Sequence, residues 1–386
     1  MGFVSYKINL LLQTCMIQVA LLRGKYLNKF ETQNLVFTTK ENIGITGVSS
    51  LHPIHTTFSF STIKLFSLID LLDNKPARFI ANRTIGDLQI LFGLEKILPS
   101  FDIVHTADPH YYFSYQAAIL RKKELIPKLI STCWETIPFN NESTWVKKKI
   151  KKLAMKHTDY FICPTKRAKR ALEKEGISSD KITVIPMGVN INKFCKKKNK
   201  HIKTILFVGR LVEEKGILDL YEVYKKINNS NLRLLIVGSG VLGNKLKQLI
   251  INDKLQKQVF IERSSYKEMP NVYNEADLVV VPSKTTKTWE EQFGMVAVEA
   301  MASGLPVIAY HSGALQEVIG KAGVLIEEGD EKGLVSAISR ILNDDKLALR
   351  LGTIARERAE NLYDCSKVKN QYKKLYESFC SGIDQK

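Results

Sequence analysis

The chain has 386 residues, of which 45% are hydrophobic and 25% charged, the composition of a soluble globular protein with room for two domains. No uninterrupted apolar run reaches the ~18 residues of a membrane-spanning helix, and six scattered cysteines without a Cys-x-x-Cys pair argue against structural zinc and for a reducing cytosol. The net charge of +18 is uneven, because residues 1–200 carry +16 and residues 201–386 carry +2. Such an imbalance is typical of an anionic partner, or of a lysine-rich proteome whose charges only solvate the surface.

The first half of the chain alternates predicted strands with predicted helices. Residues 1–15 lack the small-residue cleavage site of a signal peptide, so we expect a non-native extension ahead of a natural start at Met16. Buried strands are predicted over residues 16–22, 35–38, 101–105, 129–134 and 160–164. Helices are predicted over residues 112–119, 145–154 and 166–175. This alternation indicates βαβ units and a parallel sheet.

Two histidines lie at the end of the predicted strand over residues 101–105. His105 ends the strand and His110 follows shortly after it. Ligands of open α/β sheets gather at this edge, so either histidine is a candidate to contact one, with His105 our first choice. The alternative is that each is a hydrogen-bonded structural residue, as lone histidines more often are.

Lysines gather at residues 147–156, 166–174 and 196–200. In the helix predicted over 145–154, apolar residues share one face and lysines occupy the other. This pattern fits a helix that lies on a membrane surface, and it equally fits an ordinary helix with a solvated face. The polar run at 196–200 is typical of an interdomain linker.

Two cations follow the first predicted strand of the second half, over residues 204–209. They are Arg210 and Lys215, in the sequence Gly-Arg-Leu-Val-Glu-Glu-Lys-Gly. Two cations at the end of a strand suit a diphosphate. The alternative is a surface turn in which Glu213 and Glu214 pair with them.

Gly238 and Gly240 begin a Gly-x-Gly-x-x-Gly run after another predicted strand. Glu262 and its neighbour Arg263 stand near the end of the next strand, about where a dinucleotide-binding fold places its ribose-binding carboxylate. Alone, these residues indicate an NAD-binding protein. Against that, the fingerprint normally follows the first strand of its domain, and here a strand precedes it.

A helix predicted over residues 295–302 is apolar on every side except at Glu299. Gly304 and Pro306 end it. A buried carboxylate is costly unless something pairs with it, and Glu291, just before the helix, lies where free N–H groups favour anions. In a purely structural interpretation, Glu291 caps the helix and Glu299 meets a buried arginine.

The spacing of Glu291 and Glu299, with Phe293-Gly294 after the first and Ala-Met-Ala-Ser-Gly-Leu-Pro-Val after the second, resembles the nucleotide-sugar motif of family-four retaining glycosyltransferases. The resemblance is strong over residues 204–342 and looser over 16–194. It implies an α/β chain of GT-B architecture, in which two Rossmann-like domains face each other across a cleft. The implied parts are an acceptor-binding domain at 16–195, a linker at 196–203, a donor-binding domain at 204–365 and, at 366–386, a helix that crosses back to the first domain.

The resemblance also implies roles for individual residues. Glu299 binds the ribose hydroxyls and Glu291 binds the donor sugar. Arg210 and Lys215 neutralise the leaving diphosphate. His105, or else His110, substitutes for a sugar-contacting histidine that the family usually carries two residues beyond the position of His105. The other nucleotide-binding candidates are Phe293, Gly294, Gly238, Gly240, Glu262 and Arg263.

The implied reaction moves a sugar from a nucleoside diphosphate to an acceptor hydroxyl, with retention of the anomeric configuration. No Asp-x-Asp occurs in the chain, so we expect no metal ion, and no cofactor beyond the nucleotide-sugar co-substrate. The expected acceptor is a glycan or a lipid-linked molecule, and no nucleic-acid partner is expected. We expect a cytoplasmic enzyme, peripheral on the anionic inner face of the plasma membrane. The alternatives are a nucleotide-sugar epimerase of the same architecture and an NAD-binding Rossmann protein.

Overall fold

The chain divides into two compact units in a computed structural model that describes residues 16–194 and 203–380. The first unit runs to Pro186 and takes in the chain again from Ser366, and the second unit is Met187–Cys365. The division falls before the predicted boundary at residue 195, because the Val189 N–H donates to the Tyr363 carbonyl (2.7 Å) within the second unit. The predicted extension at 1–15 and residues 196–202 of the predicted linker lie outside the described residues.

The first unit is built on a sheet of seven parallel strands. They are β1 (Ile17–Leu22), β2 (Ile43–Ser49), β3 (Ser61–Lys64), β4 (Ile103–Ala107), β5 (Leu129–Thr132), β6 (Tyr160–Cys163) and β7 (Ile182–Val184). Their order is β3-β2-β1-β4-β5-β6-β7. Ala20 and Leu22 of β1 pack into one core and Val19 and Leu21 into another, so both faces of the sheet are covered.

Short helices connect these strands. They are α1 (Lys29–Thr32), α2 (Leu68–Leu71), α3 (Lys75–Thr84), α4 (Leu94–Ile97), α5 (Tyr112–Lys122), α6 (Trp145–His157) and α7 (Lys166–Lys174). Local sequence explains the start of α6, because the Thr144 side chain accepts a hydrogen bond from the Lys147 N–H and caps the helix. Ile150 and Ala154 of α6 are buried, as the predicted apolar face requires, but Lys151 is buried too and pairs with Glu175 at 2.7 Å, so the lysines do not all lie on a solvated face.

The prediction of a strand over residues 35–38 is wrong. Gln33–Leu35 forms a short 3₁₀ turn, and the strand lies later, at β2. β2 escapes prediction because two of its residues are glycines, which normally weaken a strand. At Gly47 an added Cβ would lie 3.0 Å from both Leu27 and Phe60, so the neighbouring side chains leave almost no room for a larger residue.

The second unit has a parallel sheet of six strands with helices between them. The strands are β8 (Lys203–Val208), β9 (Leu232–Val237), β10 (Val259–Glu262), β11 (Leu278–Val281), β12 (Val307–Tyr310) and β13 (Val324–Ile326). The helices are α8 (Ile217–Ile227), α9 (Gly243–Asn252), α10 (Met269–Asn274), α11 (Met295–Ala302), α12 (Leu315–Ile319), α13 (Glu331–Asn343) and α14 (Asp345–Leu362). The predicted α/β class, with a Rossmann-like sheet in each unit, is confirmed.

The last helix, α15 (Cys365–Cys380), belongs to the first unit from Ser366 onward. Its Val368, Tyr372 and Tyr376 are buried in the same core as Val19 and Leu21 of the first strand. The final residues of the described chain therefore complete the core around the first strand. Within residues 16–194 and 203–380, no helix combines the length and the apolar character that crossing a bilayer requires.

A buried polar network lies where the first sheet changes direction, between β1 and β4. The Arg23 guanidinium, 1% exposed, donates to the His105 carbonyl (2.7 Å) and to Glu31 (2.6 Å). His105 Nδ1 lies 2.8 Å from the Tyr376 hydroxyl, and His105 Nε2 lies 2.7 Å from the Thr132 hydroxyl. This network joins strands β4 and β5 to α15 and fills the crevice with protein side chains.

We expect Tyr376→Phe to destabilise the first unit by about 1–3 kcal/mol, because it leaves one buried nitrogen of His105 without its partner. Differential scanning fluorimetry should show a lower melting temperature, with Tyr115→Phe, at a half-buried tyrosine of the same unit, as the matched control. Equal melting temperatures for the two variants would show that the bond contributes nothing to stability.

Candidate functional site

A crevice at the carboxyl edge of the second sheet defines the candidate site. The strand order is β10-β9-β8-β11-β12-β13, so the chain leaves β8 towards one edge and returns at β11 on its other side. The loops after β8 and β11 therefore diverge, and ligands of open α/β sheets bind at such a switch point. A cavity of about 200 Å³ lies here, lined by Phe207, Val208, Lys215, Val281, Pro282, Ser283, Glu291, Gly294, Met295 and Val296.

Lys215 and Glu291 meet in this cavity as an ion pair. Lys215 Nζ lies 2.5 Å from Glu291 Oε2, and the Ser283 hydroxyl donates to the same oxygen at 2.8 Å. The ammonium also lies 4.8 Å from the centre of the Trp289 ring. The structure thus brings together two of the residues selected from the sequence. Lys215 pairs with Glu291, and not with Glu213 and Glu214 as in the alternative interpretation.

Close backbone approaches hold this pair in position. Gly216 follows Lys215 with a φ of +66°, and a Cβ there would lie 1.9 Å from the Pro282 carbonyl oxygen. Gly313 has a φ of +54°, and a Cβ there would lie 2.1 Å from the Glu291 carbonyl oxygen. Only glycine tolerates both the left-handed conformation and the contact. These two glycines therefore fix the loops that carry Lys215 and Glu291.

Arg210 lies outside the lining of the cavity. Its side chain is 61% exposed, and its guanidinium is 3.4 Å from a carboxylate oxygen of Glu214. The predicted alternative of a surface turn therefore describes Arg210 in this structure. An exposed i,i+4 ion pair contributes little energy, so Arg210 is free to turn towards an anion bound at the neighbouring switch point.

The first turn of α11 faces the cavity. Gly294, with a φ of +92°, begins the helix without a side-chain cap, and Met295 and Val296 line the cavity. The N–H groups of an uncapped first turn favour an anion. The structural interpretation expected Glu291 to cap the helix, and it does not. Phe293 is buried, its ring 5.8 Å from that of Tyr363, so it anchors the loop and has little surface for a ligand.

Glu299 is buried on α11, 5% exposed, and its partners are tyrosines. Tyr273 donates to Glu299 Oε2 at 2.8 Å, and the Tyr266 hydroxyl also bonds the carboxyl. The structural interpretation, in which Glu299 meets a buried arginine, is therefore wrong. Burial raises the pKa of Glu299 to about 7, and the two tyrosine hydroxyls offset part of that rise. A carboxylate accepts about four hydrogen bonds, so capacity for further donors remains.

Gly238 and Gly240 allow the loops after β8 and β9 to pack closely against each other. A Cβ at Gly238 would lie 1.8 Å from the Gly209 carbonyl oxygen, and one at Gly240 would lie 2.3 Å from the Leu211 carbonyl oxygen. The Leu211 N–H donates to the Ser239 carbonyl (2.9 Å), which joins the loops after β8 and β9. The glycines therefore hold the Arg210 loop in place, and this local role explains the fingerprint without NAD.

Glu262 and Arg263 are exposed at the end of β10, on the far side of β9 from the cavity. Glu262 lies 3.6 Å from the Arg233 guanidinium. Neither residue lines the cavity described above. Their predicted contact with the nucleotide remains a prediction.

The two candidate histidines lie in the first unit. His105 has no exposed surface, and both ring nitrogens have the partners given above; burial and the Arg23 guanidinium hold its pKa well below the usual range. The prediction that His105 contacts a ligand is therefore contradicted in this conformation. His110 is half-buried, its ring 4.2 Å from that of Tyr111, and burial lowers its pKa to about 3.

Sequence reasoning missed the residues that surround the two glutamates. They are Ser283, Trp289, Tyr273 and Tyr266. Ser283 carries a detectable signal, since it follows a buried strand at the ligand-binding edge of the sheet. The tyrosines carry none, because they come from α10 and the loop before it. In the described part of the chain, no group of His, Cys, Asp or Glu side chains is placed to hold a metal ion.

Two family models match the chain. Residues 54–193 match Glycosyltransferase Family 4, and residues 189–358 match Glycosyl transferases group 1. Together the two matches extend over most of both units. Both families are transferases, so the epimerase alternative gains no support.

Relatives and solved structures agree with these matches. The chain is 30% identical to an uncharacterized 41.2 kDa protein in the cps region of Klebsiella pneumoniae, over 77% of this chain and 85% of the other. It is 28% identical to the capsular polysaccharide biosynthesis glycosyltransferase CapM of Staphylococcus aureus, over 54% of this chain and 58% of the other. The structure of Anabaena HepE in complex with UDP and glucose superposes with a TM-score of 0.75 at 17% identity, over 94% of this chain and 100% of HepE. The chain therefore belongs to the group 1 glycosyltransferases of the family-four type, with the two Rossmann-like domains of the GT-B fold.

Proposed function

We propose that this glycosyltransferase moves a sugar from a nucleoside diphosphate to an acceptor hydroxyl with retention of configuration, and that the second unit binds the donor. The observation that carries the proposal is the Lys215–Glu291 pair in the cavity at the switch point of the second sheet. A cation, a carboxylate and an uncapped helix N-terminus converge there, and a sugar diphosphate needs all three kinds of group.

The diphosphate is the part of the donor that gains charge as the glycosidic bond breaks. Fixed cations and N–H dipoles that meet this charge lower the barrier, because they need no reorganisation during the reaction. Lys215 and the first turn of α11 are already in place, and Arg210 supplies a second cation by turning away from Glu214. These groups do in the proposed reaction what a divalent cation does in a metal-dependent one.

The Lys215–Glu291 pair suggests how donor binding rearranges the site. The Lys215 ammonium contacts both Glu291 and the Trp289 ring. An arriving diphosphate competes for the same ammonium. Glu291 then turns its carboxylate to the hydroxyls of the sugar, while Ser283 continues to donate to it. The pair therefore keeps both charged groups ordered until the donor replaces their mutual contact.

Glu299 is proposed to bind the ribose. Its carboxyl has remaining acceptor capacity beside its bonds to Tyr273 and Tyr266. Ribose hydroxyls donate to a carboxylate, so the bound nucleotide favours the ionised form. The HepE structure holds UDP and glucose, so a nucleotide binds there in the same fold, and at 17% identity the comparison concerns the fold alone.

The proposed acceptor is a glycan or a lipid-linked molecule held by the first unit. The relative CapM is a capsular polysaccharide biosynthesis glycosyltransferase, which supports a glycan acceptor. The match to CapM covers 58% of that protein, so its whole activity does not transfer to this chain.

Glu299→Gln should weaken nucleotide binding by about 1.5–3 kcal/mol, the value of a hydrogen bond to a charged group. Calorimetry with UDP, GDP and ADP tests this, and we expect one of the three to bind clearly. Unchanged affinity in the variant would remove Glu299 from the ribose site. Failure of all three to bind would contradict the nucleotide proposal itself.

The same experiment has a pH dependence that follows from the Glu299 pKa of about 7. Below this pH the free carboxyl is protonated, and binding must release that proton. Nucleotide affinity should therefore rise with pH up to about 7 and then level off. Glu299→Gln should flatten this rise, since the amide does not titrate.

Lys215→Ala and Arg210→Ala should each slow transfer, mainly in kcat, because charge on the diphosphate is largest in the transition state. The two effects should be less than additive, since both cations serve one charge. Lys226→Ala is the matched control, as it removes a lysine paired with Glu331 on the surface of the same unit. A double variant that turns over at the normal rate would exclude this role.

Transfer should continue in EDTA, because the cations just described supply the charge. Loss of activity that manganese or magnesium restores would instead show that a metal ion takes part. Proton NMR of the product should show the anomeric configuration of the donor preserved. An inverted product would contradict retention while leaving donor binding untouched.

A further inference from the structure

Trp289 lies beside the Lys215–Glu291 pair, and the function proposed above uses it only as a contact of Lys215. The Lys215 ammonium lies over its ring, 4.8 Å from the ring centre. The Trp289 side chain is half-buried, while the four residues before it, 285–288, are all exposed. An aromatic ring carried by an exposed segment is therefore turned towards the charged pair at the donor cavity.

Hydrogen bonds hold the segment that carries Trp289 in place. The Thr285 hydroxyl donates to Glu328 Oε1 at 2.6 Å, and the Thr285 N–H donates to Glu328 Oε2 at 2.9 Å. The Thr286 N–H donates to the Trp289 carbonyl at 2.7 Å, and the Trp289 N–H donates to the Thr286 hydroxyl at 3.0 Å. The backbone of Trp289 is thus fixed by its own segment, so the place of the ring does not depend on Lys215 alone.

A single ammonium contacts both the Trp289 ring and the Glu291 carboxylate. Lys215 Nζ lies 2.5 Å from Glu291 Oε2 and 4.8 Å from the centre of the ring. The face of an indole attracts a cation because it carries partial negative charge. A group that takes the place of the ammonium must therefore suit a carboxylate and an aromatic face at the same time.

A pyranose ring meets both requirements. The hydroxyls at its rim donate to a carboxylate. The C–H bonds on its faces carry a small positive charge, so these faces pack on the negative face of an aromatic ring. In the proposed function the diphosphate draws the Lys215 ammonium away from Glu291, and the sugar is bonded directly to that diphosphate. The sugar is therefore the part of the donor that comes to lie next to Glu291 and Trp289.

We propose that the Trp289 indole packs against the C–H face of the transferred pyranose while Glu291 accepts hydrogen bonds from its hydroxyls. The inference rests on the proposed function, because the diphosphate must first take the Lys215 ammonium. The indole then has two partners in turn, the ammonium before the donor binds and the sugar afterwards. Trp289 is thus a residue that recognises the sugar and makes no contact with the nucleotide.

Calorimetry that compares a nucleoside diphosphate with its sugar conjugates tests the proposal. The probes are UDP with UDP-glucose, UDP-galactose and UDP-N-acetylglucosamine, GDP with GDP-mannose, and ADP with ADP-glucose. The conjugate that binds the unchanged chain most tightly is then measured on Trp289→Leu, where we expect about fivefold weaker binding, since the variant keeps an apolar side chain but loses the aromatic face. The diphosphate alone should bind this variant equally well or up to about threefold more tightly, because the ring no longer competes for the Lys215 ammonium.

Two further variants serve as controls. Trp289→Phe keeps an aromatic face and should retain most of the affinity for the sugar conjugate. Trp145→Leu makes the same change at a tryptophan of the first unit that is 72% exposed, and it should alter neither affinity. Circular dichroism of each variant checks that the fold is kept.

The pattern of losses decides between the roles of Trp289. Equal losses for the diphosphate and its sugar conjugate would overturn the proposal, because Trp289 would then only hold Lys215 in position. Unchanged affinity for both would overturn it as well. If none of the three diphosphates binds the unchanged chain, the proposed function fails and this inference fails with it, an outcome distinct from the other two, in which the nucleotide still binds.

Tryptophan fluorescence gives a second readout that leaves Trp289 unchanged. The chain has three tryptophans, so the double variant Trp134→Phe/Trp145→Phe emits from Trp289 alone. At saturation, the sugar conjugate should place this emission at a shorter wavelength than the diphosphate does, because the sugar excludes water from the indole face. Identical emission with the two ligands would show that the sugar does not cover the ring, and would overturn the proposal.

Discussion

The approach of four loops at the carboxyl edge of the second sheet is the constraint on which the candidate site depends. Gly216 touches the loop after β11, Gly313 touches Glu291, and Gly238 and Gly240 touch the loop after β8. Each contact is made through a backbone carbonyl, so no other residue fits. Lys215 and Glu291 meet because their loops are fixed from both sides. The ion pair is thus a product of backbone packing, and the glycines matter to function without touching a ligand.

The two sheets use the same structural position in different ways. Between β8 and β11 the second sheet leaves a cavity of about 200 Å³ with charged walls. Between β1 and β4 the first sheet has the corresponding crevice, and the buried Arg23 with Glu31 and His105 occupies it. A buried charged network of this kind needs every group satisfied. One switch point therefore stabilises its unit, and the other remains open for chemistry.

The residues that the sequence placed correctly are those whose neighbours are close along the chain. The prediction of a helix over residues 295–302 agrees residue for residue with α11, since an apolar run and a glycine stop are local signals. The Lys215–Glu291 contact joins residues far apart in sequence, and only the strand order brings them together. His105 was expected to contact a ligand because it ends a strand. The sequence around it gave no sign that Tyr376, from the other end of the chain, covers it.

The place of α15 in the first unit has a consequence for how the chain is made. Val368, Tyr372 and Tyr376 complete the core around β1, yet the ribosome synthesises them after every residue of the second unit. The second unit, Met187–Cys365, is contiguous and has all its residues before then. Domains otherwise tend to fold from the N-terminus during synthesis. Here the second unit is the first able to finish folding, while one face of the first unit's sheet stays unfilled until α15 has been made.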